Sequence, residues 1–185
     1  MIRKFQPEDL EAVAGIWLAS NIQAHSFIPE QYWRDHYAAV KEQLAEAELY
    51  VWTDSAGGEP LGFIGLSGSY IAGLFVRQDA RSKGVGRELL RHAKALKGGL
   101  SLSVYEKNRR AVNFYQREGF AVRRYGADTD TGETEMMMVY EPCSHGSARR
   151  DDHGGQYRPQ TAKSGDLFHL CPQPHAGGDI PLCDS

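Results

Sequence analysis

An apolar run, Ala72-Gly73-Leu74-Phe75-Val76, passes through a short polar turn into Arg81-Ser82-Lys83-Gly84-Val85-Gly86, and a helical pattern takes over from about Val85 or Gly86. No other stretch restricts the fold as much. The first amides of a helix have no partners of their own, point along the axis and carry the positive end of the helix dipole, so a loop that opens a helix is ready to receive an anion. Glycine at 84 and 86 removes the Cβ atoms that would hold a phosphate away from the backbone. Arg81, Lys83 and Arg87 surround the same loop with cations, whose hydrogen bonds to phosphate oxygens are short and strong. The junction therefore predicts a diphosphate site at the end of a strand.

What is missing narrows the ligand. A Walker loop ends in Gly-Lys-Ser/Thr, but Lys83 precedes both glycines, which disfavours a nucleoside triphosphatase. A dinucleotide fingerprint needs a third glycine where Leu89 stands, and an acidic residue at the end of the next strand, which disfavours nicotinamide cofactors. A nucleotide-binding regulator that uses the same loop stays open as a minor alternative.

A second segment bears on the question. Asn108-Arg109-Arg110-Ala111-Val112-Asn113-Phe114-Tyr115-Gln116-Arg117-Glu118-Gly119-Phe120 fits Asn-x-x-Ala-x-x-Phe/Leu-Tyr-x-x-x-Gly-Phe at every defined position, and Arg81, Gly84 and Gly86 fit Arg/Gln-x-x-Gly-x-Gly/Ala. In this order, separated by a helix and a strand, the two segments resemble the signatures of the GNAT superfamily of N-acetyltransferases, over roughly residues 1–141. The chain looks like the small bacterial single-domain branch that includes peptidyl-lysine N-acetyltransferases. The resemblance implies acetyl-CoA as cofactor, held by Leu74, Phe75, Val76, Arg81, Ser82, Lys83, Gly84, Val85, Gly86, Arg87, Asn108 and Tyr115.

The elements agree with such a fold. Ile2 to Phe5 alternates as a strand, Pro7-Glu8-Asp9-Leu10 opens a helix, and Leu10, Val13, Ile16 and Trp17 recur at helical spacing. Pro29-Glu30 opens a second helix, and Leu49 to Thr53 with Leu61 to Leu66 reads as a hairpin around Gly57-Gly58. Strands at 70–76, 100–104, 121–125 and 135–140 are interleaved with helices at 85–96 and 109–117. Helices and strands alternate only in the middle, which predicts a mixed sheet with a parallel pair at its centre. The fold class is α+β (mixed α/β), with six to seven strands and about four helices; the resemblance adds that the parallel pair splays to admit the cofactor arm.

Length and composition set bounds. The 185 residues suit one domain, and a net charge of -3 gives no general attraction to nucleic acid or anionic membrane. No apolar run approaches the ~20 residues that cross a bilayer, and the N-terminus reads as folded chain, so a cytoplasmic protein, monomer or homodimer, is expected. All three cysteines (Cys143, Cys171 and Cys183) and four of the seven histidines fall in residues 143–185, which have few aliphatic residues. The expected domain is 1–142, followed by a disordered or loosely attached tail; a metal site from His169, Cys171 and His175 is a minor alternative.

Acetyl transfer to an amine needs a neutral amine, a polarised carbonyl and a proton for the departing sulfur. By resemblance, main-chain N–H groups of Leu74 to Val76 polarise the carbonyl, Tyr115 serves the sulfur, and Asn108 binds the pantetheine arm. Tyr115 also reads as a packing aromatic beside Phe114, and Asn108 as a helix N-cap. Many relatives carry a glutamate on the strand before the phosphate loop; here that stretch is Tyr70-Ile71-Ala72-Gly73. The candidate bases are Tyr70, His25, whose ordinary pKa of about 6.5 suits the task, and Glu106. Without a cysteine in the folded part, direct attack in a ternary complex is expected. The acceptor, a small amine or a peptide or protein amine, should meet an aromatic segment (Phe27, Tyr32, Trp33, Tyr37) and an acidic rim (Asp128, Asp130, Glu133, Glu135). A CoA-binding sensor without activity is the alternative from another class.

Overall fold

The structure, a computed structural model, describes residues 1–142. The segment 143–185, with the candidate ligands His169, Cys171 and His175, lies outside the described residues. Strand β1 (Ile2–Lys4) leads through a 3-10 turn (Pro7–Asp9) into α1 (Leu10–Ala24) and α2 (Glu30–Glu46). Then come β2 (Glu48–Trp52), β3 (Gly62–Ser67), β4 (Tyr70–Val76), a 3-10 turn (Gln78–Ala80), α3 (Val85–Lys97), β5 (Leu100–Tyr105), α4 (Arg109–Arg117), β6 (Ala121–Ala127) and β7 (Thr134–Tyr140). The expected helix at Pro7 is split because the Asp9 side chain accepts the Gln6 N–H (2.9 Å) and both guanidinium nitrogens of Arg3 (2.7 and 2.8 Å). That pinch closes a tight turn before α1 begins.

The seven strands form one sheet in the order β1-β2-β3-β4-β5-β7-β6. Every neighbouring pair is antiparallel except β4 and β5, which are parallel, as the alternation of elements predicts. The parallel ladder holds a single register pair, Tyr70 with Ser101, supported by the Ser101 N–H donating to the Ser69 carbonyl at 2.9 Å. From there toward Val76 and Tyr105 the two strands part. A register shift opposite Gly65 and Leu66 pairs Gly65 with Gly73 but Leu66 with Ile71, so the side-chain alternation of β4 changes phase at Ala72. Ala72 and Phe75 then pack on one face, Leu74 and Val76 on the other.

Each face has its own core. Leu89, Leu90 and Ala93 of α3 and Val112 and Tyr115 of α4 close over Ile64, Leu66, Leu102 and Met138. On the opposite face Trp17 of α1 and Trp33 of α2, edge to face at 5.9 Å, close over Leu49, Val51 and Phe63. The period of two along β2, where Leu49 and Val51 face one core and Tyr50 and Trp52 the other, follows from the pleat. Truncation of either buried tryptophan to alanine is worth about 3–5 kcal/mol of stability.

Candidate active site

The gap between β4 and β5 opens into a cleft of about 800 Å³, walled by the end of α1, the last residues of β4, the loop 81–87 and the face of α4. Among the expected residues, His25, Leu74, Phe75, Val76, Arg81, Ser82, Gly84, Val85, Gly86, Arg87, Asn108 and Tyr115 line it; Lys83, Tyr70 and Glu106 do not. Tyr70 sits at the closed end of the parallel pair, and Glu106 lies past the end of β5 with its carboxylate 4.0 Å from Arg109. His25 alone of the three candidate bases reaches the cleft.

The loop is shaped for close approach. Gly84, the residue before α3, has φ +85°, and Ser82, with a side chain, stands at φ +64°, so the turn takes two left-handed steps that present its amides. A Cβ on Gly86 would stand 3.5 Å from Leu74 and 3.7 Å from Phe114 and Val76, all lining residues of the cleft. Arg81 is tied back: its Nε donates to the Val76 carbonyl at 3.0 Å and Nη2 reaches Ser20 Oγ at 3.4 Å. Burial and the positive charge of Arg110 both pull the Arg81 pKa down. Two like charges that line one cleft and repel each other favour an anion there.

Sequence reasoning missed part of this positive wall. Arg109, Arg110 and Arg117 of α4 also line the cleft, and the signal was present: the two arginines follow Asn108 inside the second signature. Arg87, expected as a phosphate ligand, lines the cleft, donates from Nε to Glu118 at 2.9 Å and is largely solvent-exposed. Among the described residues, Glu118 is the one acidic residue of the lining.

Tyr115 lies edge-on to Phe114 (5.2 Å) and Phe120 (5.4 Å), so the packing role holds while the residue also lines the cleft. Burial, then the neighbouring Tyr70, pushes its pKa above the ordinary phenol value, and the hydroxyl keeps its proton. Asn108 caps α4: its Oδ1 accepts the Ala111 N–H at 3.2 Å. Its Nδ2 lies 3.2 Å from Nε2 of His25. His25 ends α1, is stacked on Trp33 (5.2 Å) and wedged edge-on between Phe27 (5.7 Å) and Tyr105 (5.2 Å). Burial lowers its pKa from 6.5 to about 4, so the ordinary value assumed from the sequence does not apply.

Of the expected acidic rim, Asp128 is turned inward. Asp128 is buried; its Oδ2 accepts the Tyr105 hydroxyl at 2.5 Å, and its Oδ1 accepts the N–H groups of Asp130 (2.8 Å) and Thr131 (3.2 Å). Glu133 is paired with Lys107 at 2.8 Å. Burial, then the Asp128 charge, raises the pKa of both Asp130 and Glu135. Asp128 anchors a folded turn, because Asp at the start of a turn satisfies its own backbone, while Asp130 stays exposed and Glu133 and Glu135 are partly exposed. Trp33, expected among the acceptor-facing aromatics, is fully buried.

Comparison with known proteins places this geometry. The acetyltransferase (GNAT) domain family matches residues 45–122. Peptidyl-lysine N-acetyltransferase YiaC of Escherichia coli (strain K12) is 38% identical over 124 residues, spanning 66% of this chain and 84% of YiaC. The chain belongs to the GNAT superfamily of N-acetyltransferases. This acetyltransferase is also 35% identical over 137 residues to peptidyl-lysine N-acetyltransferase YjaB of Salmonella typhimurium, covering 74% of the chain and 94% of YjaB. The solution structure of apo YjaB from Escherichia coli superposes with a TM-score of 0.69 at 32% identity, covering 77% of this chain and 97% of that one. The acetyltransferase therefore moves an acetyl group to an amine, and the inactive-sensor alternative is not favoured. Members of the superfamily generally draw that group from acetyl-CoA.

Proposed function

We propose that this acetyltransferase takes its acetyl group from acetyl-CoA and delivers it to the side-chain amine of a lysine in a peptide or protein, with both substrates bound together. The cofactor supplies the acetyl group as a thioester, an acyl donor that an amine can attack. The observation that carries the reading is the cleft itself, in which the amide-presenting turn at Ser82 and Gly84 and the lining residues Arg81 and Arg110 meet the opening between β4 and β5. The names of YiaC and YjaB support the lysine acceptor.

In this reading the amides at the start of α3, with Arg81 and Arg110, hold the diphosphate, and Asn108 holds the arm. A main-chain N–H of Leu74, Phe75 or Val76 polarises the carbonyl; such donors are worth about 3–4 kcal/mol when fixed in advance. Tyr115 stays protonated and directs its hydroxyl at the sulfur. A thiolate, whose thiol has a pKa of about 8.5, is a weaker base than a phenolate, so Tyr115 donates a hydrogen bond to the departing sulfur rather than its proton, and the sulfur is protonated from water. Glu118 is held by Arg87 and His25 is neutral with Nε2 engaged, so the amine loses its proton to water.

The test is thiol release from acetyl-CoA with lysine peptides, α-amine peptides and small amines, with mass spectrometry to locate the acetyl group. Acetylation at lysine Nζ is expected, with kcat/KM that keeps rising from pH 7 toward 9. Modification of small amines or N-termini alone would overturn the acceptor assignment, and acetyl-CoA binding without turnover on any amine would favour the sensor.

A further inference from the structure

The contact between His25 and Asn108 joins the end of α1 to the start of α4 across 83 residues of sequence, at the edge of the cleft. We propose that His25 is a positioning residue that fixes the orientation of the Asn108 amide toward the cofactor arm. The inference rests on the reading that Asn108 binds that arm.

Chemistry decides which way the amide points. The Ala111 N–H, 3.2 Å away, requires an acceptor, so the oxygen of Asn108 must face the helix and the nitrogen must face His25. The reverse placement would set two donors against each other. Because Asn108 Nδ2 donates, Nε2 of His25 must be the unprotonated nitrogen, and the ring proton belongs on Nδ1, which is buried near the Asn21 backbone but outside hydrogen-bond geometry. Trp33, Phe27 and Tyr105 pack around the ring and favour the orientation that keeps Nε2 toward Asn108. It does not charge near neutral pH either, as burial disfavours the imidazolium.

Asn108 is thereby held from both ends, by its own helix and by a neutral acceptor that belongs to the other core. One amide hydrogen and one oxygen lone pair remain for a ligand. A polar group fixed in advance binds without the cost of ordering it, which is the benefit His25 supplies. The same geometry removes His25 from proton abstraction.

The test compares His25→Phe, which keeps an aromatic ring in the stack but loses the acceptor, with His25→Gln, which keeps an acceptor oxygen. Acetyl-CoA affinity is measured by titration, alongside KM, kcat, melting temperature and the imidazole ¹⁵N spectrum. Loss of one hydrogen bond predicts about tenfold weaker acetyl-CoA binding in His25→Phe, with kcat within about twofold. His25→Gln should recover most of that affinity, and His25→Phe should have no further effect on affinity in an Asn108→Ala background. The wild-type ¹⁵N spectrum at pH 7 should show a neutral ring with its proton on Nδ1. The inference is overturned by a charged ring at pH 7, by unchanged affinity in His25→Phe, by failure of His25→Gln to recover, or by a fall in kcat with an altered pH profile. Wild-type protein that binds no acetyl-CoA would instead sink the cofactor reading itself; binding by the wild type with His25→Phe unaffected sinks only the inference.

Discussion

The two sides of the cleft are built by opposite means. On the side proposed to hold the diphosphate, the means are backbone and cations: the Arg81–Arg87 loop takes left-handed steps at Ser82 and Gly84, and Arg81 and Arg110 line the cleft together. On the α1–α2 side polar groups engage one another rather than the cleft, His25 Nε2 with Asn108 and, behind the lining, Asp128 with Tyr105 and two backbone amides. One side holds unspent charge for a ligand, the other spends its charge on holding shape. The difference teaches that the proposed anion site rests on open charge, whereas the frame, beginning with the wall formed by His25 and Asn108, rests on polar groups engaged with each other.

Changes on the phosphate side should therefore act on the cofactor, and changes on the frame should act on stability and on the acceptor. The largest effect is expected from Gly86→Glu, which places a carboxylate among the lining residues and should weaken acetyl-CoA binding by a factor on the order of 10³ while circular dichroism stays unchanged. Undiminished affinity would remove the phosphate site. Tyr115→Phe should lower kcat about 10²-fold and leave acetyl-CoA affinity within about twofold; equal turnover would return Tyr115 to packing alone.

Smaller effects probe the frame. Above pH 6.5 neither folded nor unfolded His25 is charged; as pH falls from 6.5 to about 4 the unfolded chain takes up a proton that the folded ring resists, so stability drops through that window. The full difference is worth up to ~3 kcal/mol, and urea midpoints at pH 7 and pH 4.5 should converge between wild type and His25→Phe at the lower pH. Parallel pH dependence in the two proteins would show that the ring is not buried neutral. Tyr105→Phe leaves the buried Asp128 carboxylate without a hydroxyl donor and should cost about 2 kcal/mol, with a higher acceptor KM and unchanged acetyl-CoA affinity. A shift in acetyl-CoA affinity would break the division between the two sides.

The same division explains what could be read from the sequence. The phosphate loop, the strand that feeds it, and α4 with Asn108 and Tyr115 lie in two contiguous segments, and helix starts and glycine turns are set by neighbours in the chain. Strand β4 and helix α4 fall at the expected residues, 70–76 and 109–117, for that reason. The frame depends on contacts between distant residues: His25 with Asn108, and Tyr105 with Asp128. Charge in a sequence does not reveal burial, so Asp128 read as a rim residue and His25 as an ordinary imidazole. Lys83, Tyr70 and Glu106 fail to reach the cleft because their position along a loop or strand fixed their sequence neighbourhood but not their direction.

The middle of a sheet is ordinarily its best protected part, yet here one residue pair, Tyr70 with Ser101, stitches the four strands on one side to the three on the other. The weak seam runs through the centre and the firm ladders lie outside it. Amide exchange should accordingly be fastest along the inner margins of β4 and β5, and a guest laid between them would act as a splint, slowing exchange there before anywhere else in the sheet.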